Sequence, residues 1–308
     1  MRRLWGSGLA ALWALFSVAE VHADVEHVEL DPSALSSRAT KVHGPHLALR
    51  DPSAPAWHQL VIYLPGTNGT AAGAADILDV LARAGYHALA LDYPNTVMAA
   101  KFRGSNDVHA FDAYRRAIVR GGSVDETLTV AADSSIEARI VAALRHLAAA
   151  RGSEGWGEFS SKQGAVWEKL ILIGHSQGAG HAAYLAHEHK VAKVLAVAGP
   201  QDYLTELARP AAWLSAPSRT PHDRYRALLH VQDEYDVKLQ IAANRALHGA
   251  KAAEPVRFDR EPPTQKQAPQ ILVSERPLAP SNGAAQGQAH GSLKQLPYAE
   301  VWLYLLAH

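Results

Sequence analysis

The sequence of 308 residues contains no cysteine. Disulfide bonds, a thiolate nucleophile and a cysteine-ligated zinc site are therefore excluded. It also lacks a surplus of charge of either sign, since 30 basic and 30 acidic residues give a formal net charge of zero. Such a balance gives no indication of a nucleic acid or an anionic membrane as partner. The sequence has no internal repeat and no cofactor or metal-binding motif, so we expect neither a cofactor nor a metal ion.

Long apolar runs are missing as well, except near the N-terminus. Two arginines precede an apolar run at 9–19, and the sequence at 21–23 fits a small-residue cleavage site. This order is typical of a secretory signal peptide. The run is short for a membrane span, which needs roughly 20 residues. We therefore predict that residues 1–23 are removed, and that residues 24–308 form one secreted or periplasmic domain with no stable membrane insertion.

Apolar runs that fit buried strands alternate with amphipathic stretches that fit helices along the rest of the chain. Residues 60–64 and 169–173 are examples of the first kind, and residues 135–150 are an example of the second. This alternation predicts an α/β fold with a mostly parallel, doubly wound sheet flanked by helices. The pattern also predicts a final amphipathic helix at 293–306. Segment 96–130 interrupts the alternation, and we interpret it as an irregular insertion and a candidate cap.

One strand candidate leads directly into a tight glycine-rich turn. Residues 170–178 read Leu-Ile-Leu-Ile-Gly-His-Ser-Gln-Gly, and an alanine-rich helical stretch follows. A G-x-S-x-G pentapeptide between a strand and a helix is typical of a nucleophile elbow, which projects the serine hydroxyl above the sheet. We therefore predict that Ser176 is a nucleophile.

A serine hydroxyl is a weak nucleophile at neutral pH and needs a base within hydrogen-bond reach. His290 follows the last strand candidate in a loop of small residues, so we predict it as the base. A carboxylate should then orient the imidazole. Asp233, just past another strand, is the first candidate, and Asp236 and Asp202 are alternatives.

The oxyanion of such a reaction needs N–H donors that are already in place. One donor is predicted at Gln177, directly after the nucleophile and at the start of a helix. The second is predicted at Thr67, in the turn Pro-Gly-Thr-Asn-Gly that follows strand 60–64. The glycine before Thr67 allows the backbone to come close to a ligand.

These motifs together resemble a family of secreted bacterial α/β-hydrolases, over most of the chain. The motifs are Gly174-His175-Ser176-Gln177-Gly178-Ala179-Gly180-His181-Ala182-Ala183, Leu64-Pro65-Gly66-Thr67, Gly155-Trp156-Gly157, Gly199-Pro200-Gln201-Asp202 and His230-x-x-Asp233. The resemblance implies an α/β-hydrolase fold with Ser176 as nucleophile, Asp233 as acid and His290 as base. The chain departs from the usual Gly-x-x-Asp at the acid, because His230 replaces the glycine. Asp236 therefore remains an alternative to Asp233 as the acid.

A serine nucleophile with an oxyanion hole suits the hydrolysis of carboxylic esters in small molecules. An aspartate at the elbow would instead have indicated a dehalogenase or an epoxide hydrolase. A peptidase or amidase with the same triad is one alternative. A catalytically inactive binding protein on this fold is the other, because function resides in the site rather than in the fold.

Overall fold

A computed structural model describes residues 24–249, 254–259, 269–278 and 288–308 of the chain. The predicted signal peptide at 1–23 and most of the loop before His290 lie outside the described residues.

Nine strands form one sheet. They are β1 (Glu26–Leu30), β2 (His46–Arg50), β3 (Leu60–Leu64), β4 (His87–Ala90), β5 (Leu170–His175), β6 (Lys193–Val197), β7 (Tyr225–His230), β8 (Val256–Arg257) and β9 (Ile271–Ser274). Their order across the sheet is β1-β2-β4-β3-β5-β6-β7-β9-β8. The strands from β4 to β8 pair in parallel, and β2 is antiparallel to both of its neighbours. The predicted α/β-hydrolase fold, a mostly parallel sheet flanked by helices, is confirmed.

Helices cover both faces of this sheet. They are α1 (Pro32–Leu35), α2 (Ala75–Arg83), α3 (Ala110–Arg120), α4 (Ile136–Ala150), α5 (Gln177–Glu188), α6 (Val237–His248), α7 (Gln288–Ser292) and α8 (Ala299–Ala307). Strand β3 shows how the two layers arise, because Leu60, Ile62 and Leu64 pack with α3, α4 and α5. The alternate residues Val61 and Tyr63 pack with α2 and α8 on the other face. An uninterrupted apolar run is what a strand with two buried faces requires.

The C-terminal helix differs from the prediction. The single helix expected at 293–306 is wrong, since α7 ends at Ser292 and α8 begins at Ala299, with a 3-10 turn Leu296–Tyr298 between them. Pro297 lies in that turn, and proline supplies no N–H for a continuous helix. The strand β8, with two residues, was not predicted.

Segment 96–130 is more regular than predicted. It contains a 3-10 turn Ala99–Phe102, the 11-residue helix α3 and a two-stranded hairpin, Gly122–Asp125 with Leu128–Val130. Phe111 and Tyr114 on α3 are fully buried in the same cluster as α4 and α5. The expectation that this segment is irregular is therefore wrong, because an apolar face of α3 belongs to the helical layer. The role of the segment as a cap stays a prediction.

None of the helices in the described part of the chain combines the length and the apolarity that a membrane span requires.

Candidate active site

Ser176 lies at the sharp turn between β5 and α5, with φ 59° and ψ −124°. A non-glycine residue rarely adopts such a conformation, and it persists only where the surroundings impose it. Two glycines make the turn possible. A Cβ atom at Gly174 would overlap the carbonyl of Gly178, and one at Gly178 would overlap the carbonyl of Leu64 in β3. The G-x-S-x-G spacing therefore follows from the close approach of strand and helix.

The side chains of Asp233 and His290 form a buried pair. Asp233 follows β7, His290 lies on α7, and Oδ2 of the aspartate is 2.8 Å from Nδ1 of the histidine. A carboxylate only accepts, so Nδ1 carries the proton and Nε2 has a free lone pair. Burial acts to raise the pKa of Asp233, but the hydrogen bond and charge of His290 and the N–H of Tyr235 outweigh it. The pKa of Asp233 therefore lies below its usual value.

The two alternative aspartates have other partners. Asp236 accepts the N–H of Lys238 at 2.9 Å and so caps the N-terminus of α6. Asp202 accepts from Nε of Arg115 at 3.0 Å, and both side chains are fully buried. The indole of Trp213 donates to the same carboxylate at 2.9 Å. The structure thus places Asp233, and neither Asp236 nor Asp202, against His290.

The hydroxyl of Ser176 contacts a residue to which the sequence analysis assigned no role. Nε2 of Gln201 donates to Oγ of Ser176 at 3.3 Å, and Gln201 is buried. Nε2 of His290 has no hydrogen-bond partner among the described residues. Ser176 and His290 are therefore not hydrogen-bonded in this structure. Such bonds often tighten only when a substrate is bound.

The backbone of His290 is held on both sides. The carboxylate of Glu234 accepts the N–H of Ala289 at 3.2 Å and that of His290 at 3.1 Å. Nε2 of His175 donates to the carbonyl of His290 at 2.9 Å. Burial and the nearby His290 lower the pKa of His175 to about 3, so this imidazole is neutral. Adjacent residues in one loop, Asp233 and Glu234, thus fix the side chain and the backbone of the same histidine.

The backbone N–H groups of Thr67 and Gln177 donate to no acceptor in the described part of the protein. Gln177 is the first residue of α5, where N–H groups have no partner within the helix and the helix dipole favours negative charge. A Cβ atom at Gly66 would lie 2.9 Å from Cβ of Ser176, so the turn before Thr67 approaches the nucleophile closely. Both predicted donors thus lie beside Ser176.

The side chain of Gln177 is held by two hydrogen bonds and by a third one that is shared. Its Oε1 accepts from Oγ1 of Thr67 at 2.8 Å. It also lies 3.0 Å from the hydroxyl of Tyr114, whose single proton is shared with the carbonyl of Val97 at 2.8 Å. Nε2 of Gln177 donates to the carbonyl of Asn95 at 2.9 Å. Nη1 of Arg115 adds a bond of 2.7 Å to the backbone carbonyl of Gln177. These contacts fix the two candidate oxyanion donors relative to each other.

The sequence reasoning missed Glu234, Gln201, His175 and Arg115 as parts of this site. Two of them had a visible signal, because Glu234 directly follows the predicted acid and His175 directly precedes the predicted nucleophile. Gln201 belongs to the quoted motif Gly199-Pro200-Gln201-Asp202, but nothing in that motif indicated its contact with Ser176, 25 residues away. The contact of Arg115 with Asp202 joins positions that are 87 residues apart and left no signal.

No group of three histidine, aspartate or glutamate side chains within the described ranges has an arrangement that would hold a metal ion.

Neither a protein-family model nor a curated protein matches the sequence. Two solved structures align with nearly all of the chain. One, named "Putative Dienelactone Hydrolase", is from Klebsiella pneumoniae subsp. pneumoniae MGH 78578. It is 14% identical, and the alignment covers 93% of this chain and 100% of that chain with a TM-score of 0.45. The other is TT1662 from Thermus thermophilus, 18% identical over 92% of this chain and 99% of that chain, with a TM-score of 0.43.

Proposed function

We propose that the protein is a serine hydrolase that cleaves carboxylic esters through an acyl-enzyme intermediate. The observation that carries this proposal is the buried pair of Asp233 and His290, with 2.8 Å between Oδ2 and Nδ1. The pair leaves Nε2 of His290, which has no partner among the described residues, as a base at the sheet edge where Ser176 is held in its strained turn. Nucleophile, base and orienting carboxylate are the components that acyl transfer to serine requires.

The chemistry then proceeds in two half-reactions. Oγ of Ser176 attacks the ester carbonyl carbon while Nε2 of His290 takes the hydroxyl proton. The N–H groups of Thr67 and Gln177 bind the oxyanion of the tetrahedral intermediate. The bond to the alcohol breaks, and the alcohol leaves with the proton from His290. Water then attacks the acyl group in the same way, the acid departs, and Ser176 regains its proton.

Asp233 supports this cycle without exchanging a proton. Its carboxylate keeps the proton of neutral His290 on Nδ1 and stabilises the imidazolium that forms during attack. The lowered pKa of Asp233 supports this role, because the carboxylate stays ionised at neutral pH.

Labelling by a fluorophosphonate probe tests the proposal. The purified protein should react covalently, and Ser176→Ala should abolish both labelling and the hydrolysis of para-nitrophenyl acetate. Ser160→Ala is a matched control, because Ser160 is a half-buried serine in a short hairpin strand before β5 and not part of the elbow. Absence of labelling would favour a binding protein on this fold. Labelling with cleavage of amides but not esters would favour the peptidase or amidase alternative.

We further propose that the mature enzyme begins at Asp24 and acts outside the cytoplasm. This rests on the signal-peptide pattern at 1–23.

A further inference from the structure

Arg103 presents a guanidinium group that lacks a carboxylate partner. Its Nε is buried without a hydrogen-bond acceptor, and no acidic side chain of the described residues pairs with it. The only acceptor near its guanidinium in the described structure is the carbonyl of Tyr235, 3.4 Å from Nη2. The buried arginines of the described residues differ from this partly buried one. Arg115 pairs with Asp202 and Arg139 with Asp92. Arg226 has no carboxylate partner in that part of the chain, but its Nη atoms donate to three backbone carbonyls.

The backbone of Arg103 is fixed in place. Its carbonyl accepts from the N–H of Thr205 at 2.8 Å and from Oγ1 of Thr205 at 3.0 Å. Thr205 lies in the same loop after β6 as Gln201, whose amide reaches the hydroxyl of Ser176. Arg103 is therefore anchored to the loop that contacts the nucleophile.

A second set of contacts leads from Arg103 to the base. The ring of Tyr235, whose carbonyl faces the guanidinium, lies 4.7 Å from the ring of His290. A third set leads to the oxyanion donors, because the neighbouring Phe102 packs 4.8 Å from the ring of Tyr114, which bonds to Gln177. Arg103 is thus linked through Tyr235 to the base, and through Phe102 and Tyr114 to the oxyanion donors.

An N–H group of a guanidinium that is removed from water and has no acceptor is costly. A carboxylate is the acceptor that a guanidinium fits best, through two parallel charge-assisted hydrogen bonds. A single cation of this kind matches one negative charge, whereas a phosphate dianion calls for more donors. We propose that Arg103 binds a free carboxylate on the ester substrate. The natural substrate is then a monoanionic ester, and this inference rests on the proposed function.

Two pairs of esters that differ in one carboxylate test this inference at neutral pH. For the acyl side, the mono-para-nitrophenyl ester of adipic acid is compared with para-nitrophenyl hexanoate. For the alcohol side, para-acetoxybenzoate is compared with para-acetoxybenzamide. The measured quantity is the ratio of kcat/KM for the anionic member to that for the neutral member. We expect this ratio to exceed one in at least one pair, and that pair identifies which side faces Arg103.

Variants then assign the preference to the guanidinium. Arg103→Gln should lower the ratio on the order of 10- to 100-fold, the range for loss of a hydrogen bond to a charged group. Arg103→Lys should keep part of the preference for the anionic ester, because lysine retains the positive charge but lacks the two parallel N–H donors of the guanidinium. Arg116→Gln, on the exposed face of α3 in the same segment, should leave the ratio unchanged.

The inference is overturned if the wild type prefers the neutral member of both pairs. It is also overturned if Arg103→Gln lowers kcat/KM equally for the anionic and the neutral ester. It is also overturned if a phosphate-bearing ester is preferred to its carboxylate counterpart. Fluorophosphonate labelling of the same samples separates the two proposals. Labelling that depends on Ser176 without any carboxylate preference would reject only the role of Arg103, whereas absence of labelling would reject the hydrolase itself.

Discussion

Three neighbours hold the residue His290, and each contacts a different group of it. Asp233 accepts from the imidazole, Glu234 accepts from the backbone N–H, and His175 donates to the backbone carbonyl. The position of a base relative to its nucleophile must be correct to within a few tenths of an ångström. Contacts that fix the backbone of His290 therefore matter as much as the bond to its side chain.

The three candidate aspartates should separate when each is replaced by asparagine. Asp233→Asn should lower kcat by ~10³–10⁴-fold, because the amide favours the wrong tautomer of His290. Asp236→Asn should change neither kcat nor stability appreciably, since asparagine caps helices as well as aspartate does. Steady-state kinetics on para-nitrophenyl acetate provides the first measurement. A full loss of activity in Asp236→Asn with a fully active Asp233→Asn would contradict the assignment.

Asp202→Asn should act on stability instead. It leaves Arg115 buried without a carboxylate, which costs on the order of 3 kcal/mol. Urea denaturation should therefore show a lower midpoint. The value of kcat should fall only to the extent that Arg115, which also bonds to Gln177, moves that residue.

Glu234→Ala should lower kcat about tenfold with little change in KM, because the N-terminus of α7 loses both of its acceptors. Glu234→Gln should retain part of the activity, since the amide keeps one acceptor oxygen. The melting temperature should change little, because Glu234 is exposed. Glu206→Ala, another exposed glutamate, is the control. Equal kcat in Glu234→Ala and Glu206→Ala would show that His290 does not depend on this contact.

At the scale of elements, the site depends on how closely α5 lies against the sheet. The turn at Ser176 requires glycine on both sides. Glycine is also required at Gly180, in the first turn of α5, because a Cβ atom there would overlap the guanidinium of Arg115. Helix α5 thus touches β3 on one side and the Arg115–Asp202 pair on the other. Each of these contacts involves backbone or a fully buried group that cannot move aside.

Gly178→Ala should destabilise the protein by about 3 kcal/mol, the upper end for overpacking, because the obstacle is the backbone carbonyl of Leu64. The urea midpoint measures this loss. Gly157→Ala is the matched control, since nothing lies within 4 Å of the added methyl group. A Gly178→Ala protein as stable as Gly157→Ala would mean that strand and helix are further apart than described.

The elements also show what the sequence could predict. The apolar runs of β3, β5, β7 and β9 predicted that Thr67, Ser176, Asp233 and His290 each follow a strand of one parallel sheet, and so lie at one edge. Contacts between distant segments, such as Tyr114 with Gln177, leave no periodic pattern and were not predictable. The break between α7 and α8 was signalled by Pro297, but the apolar spacing around it outweighed that signal.

At the scale of the whole molecule, at least five histidines among the described residues are held in their neutral form by burial. Burial, aided by the charge of Arg115, keeps the pKa of His181 well below its usual value. Burial, aided by the charge of Arg139, lowers the pKa of His46 to about 3, and burial with His290 does the same for His175. Burial, with a smaller effect of His222, lowers the pKa of His187 to about 4. Burial also lowers the pKa of His248 to about 4. These histidines lie in different parts of the fold, so they couple protonation to global unfolding.

Stability should therefore fall as the pH drops below about 6.5. The unfolded chain binds protons at these histidines from about pH 6.5 downward, whereas the folded protein resists until pH 4 or 3. Each site can contribute at most about 1.4 kcal/mol per pH unit in that window. Urea midpoints measured between pH 8 and pH 4.5 test this, and His187→Leu should make the decline less steep. A midpoint that stays constant down to pH 5 would contradict it.

The lock on the side chain of Gln177 has a consequence for inhibitor design. The protein's own contacts fix the direction of the Gln177 and Thr67 amides, so a tetrahedral adduct on Ser176 spends none of its binding energy on ordering them. Reagents that become tetrahedral on the serine, such as boronic acids and trifluoromethyl ketones, should gain more affinity than flat carbonyl analogues of the same size. Tyr114→Phe removes one of the contacts to the side chain of Gln177, and it should reduce this difference in affinity between tetrahedral and flat inhibitors.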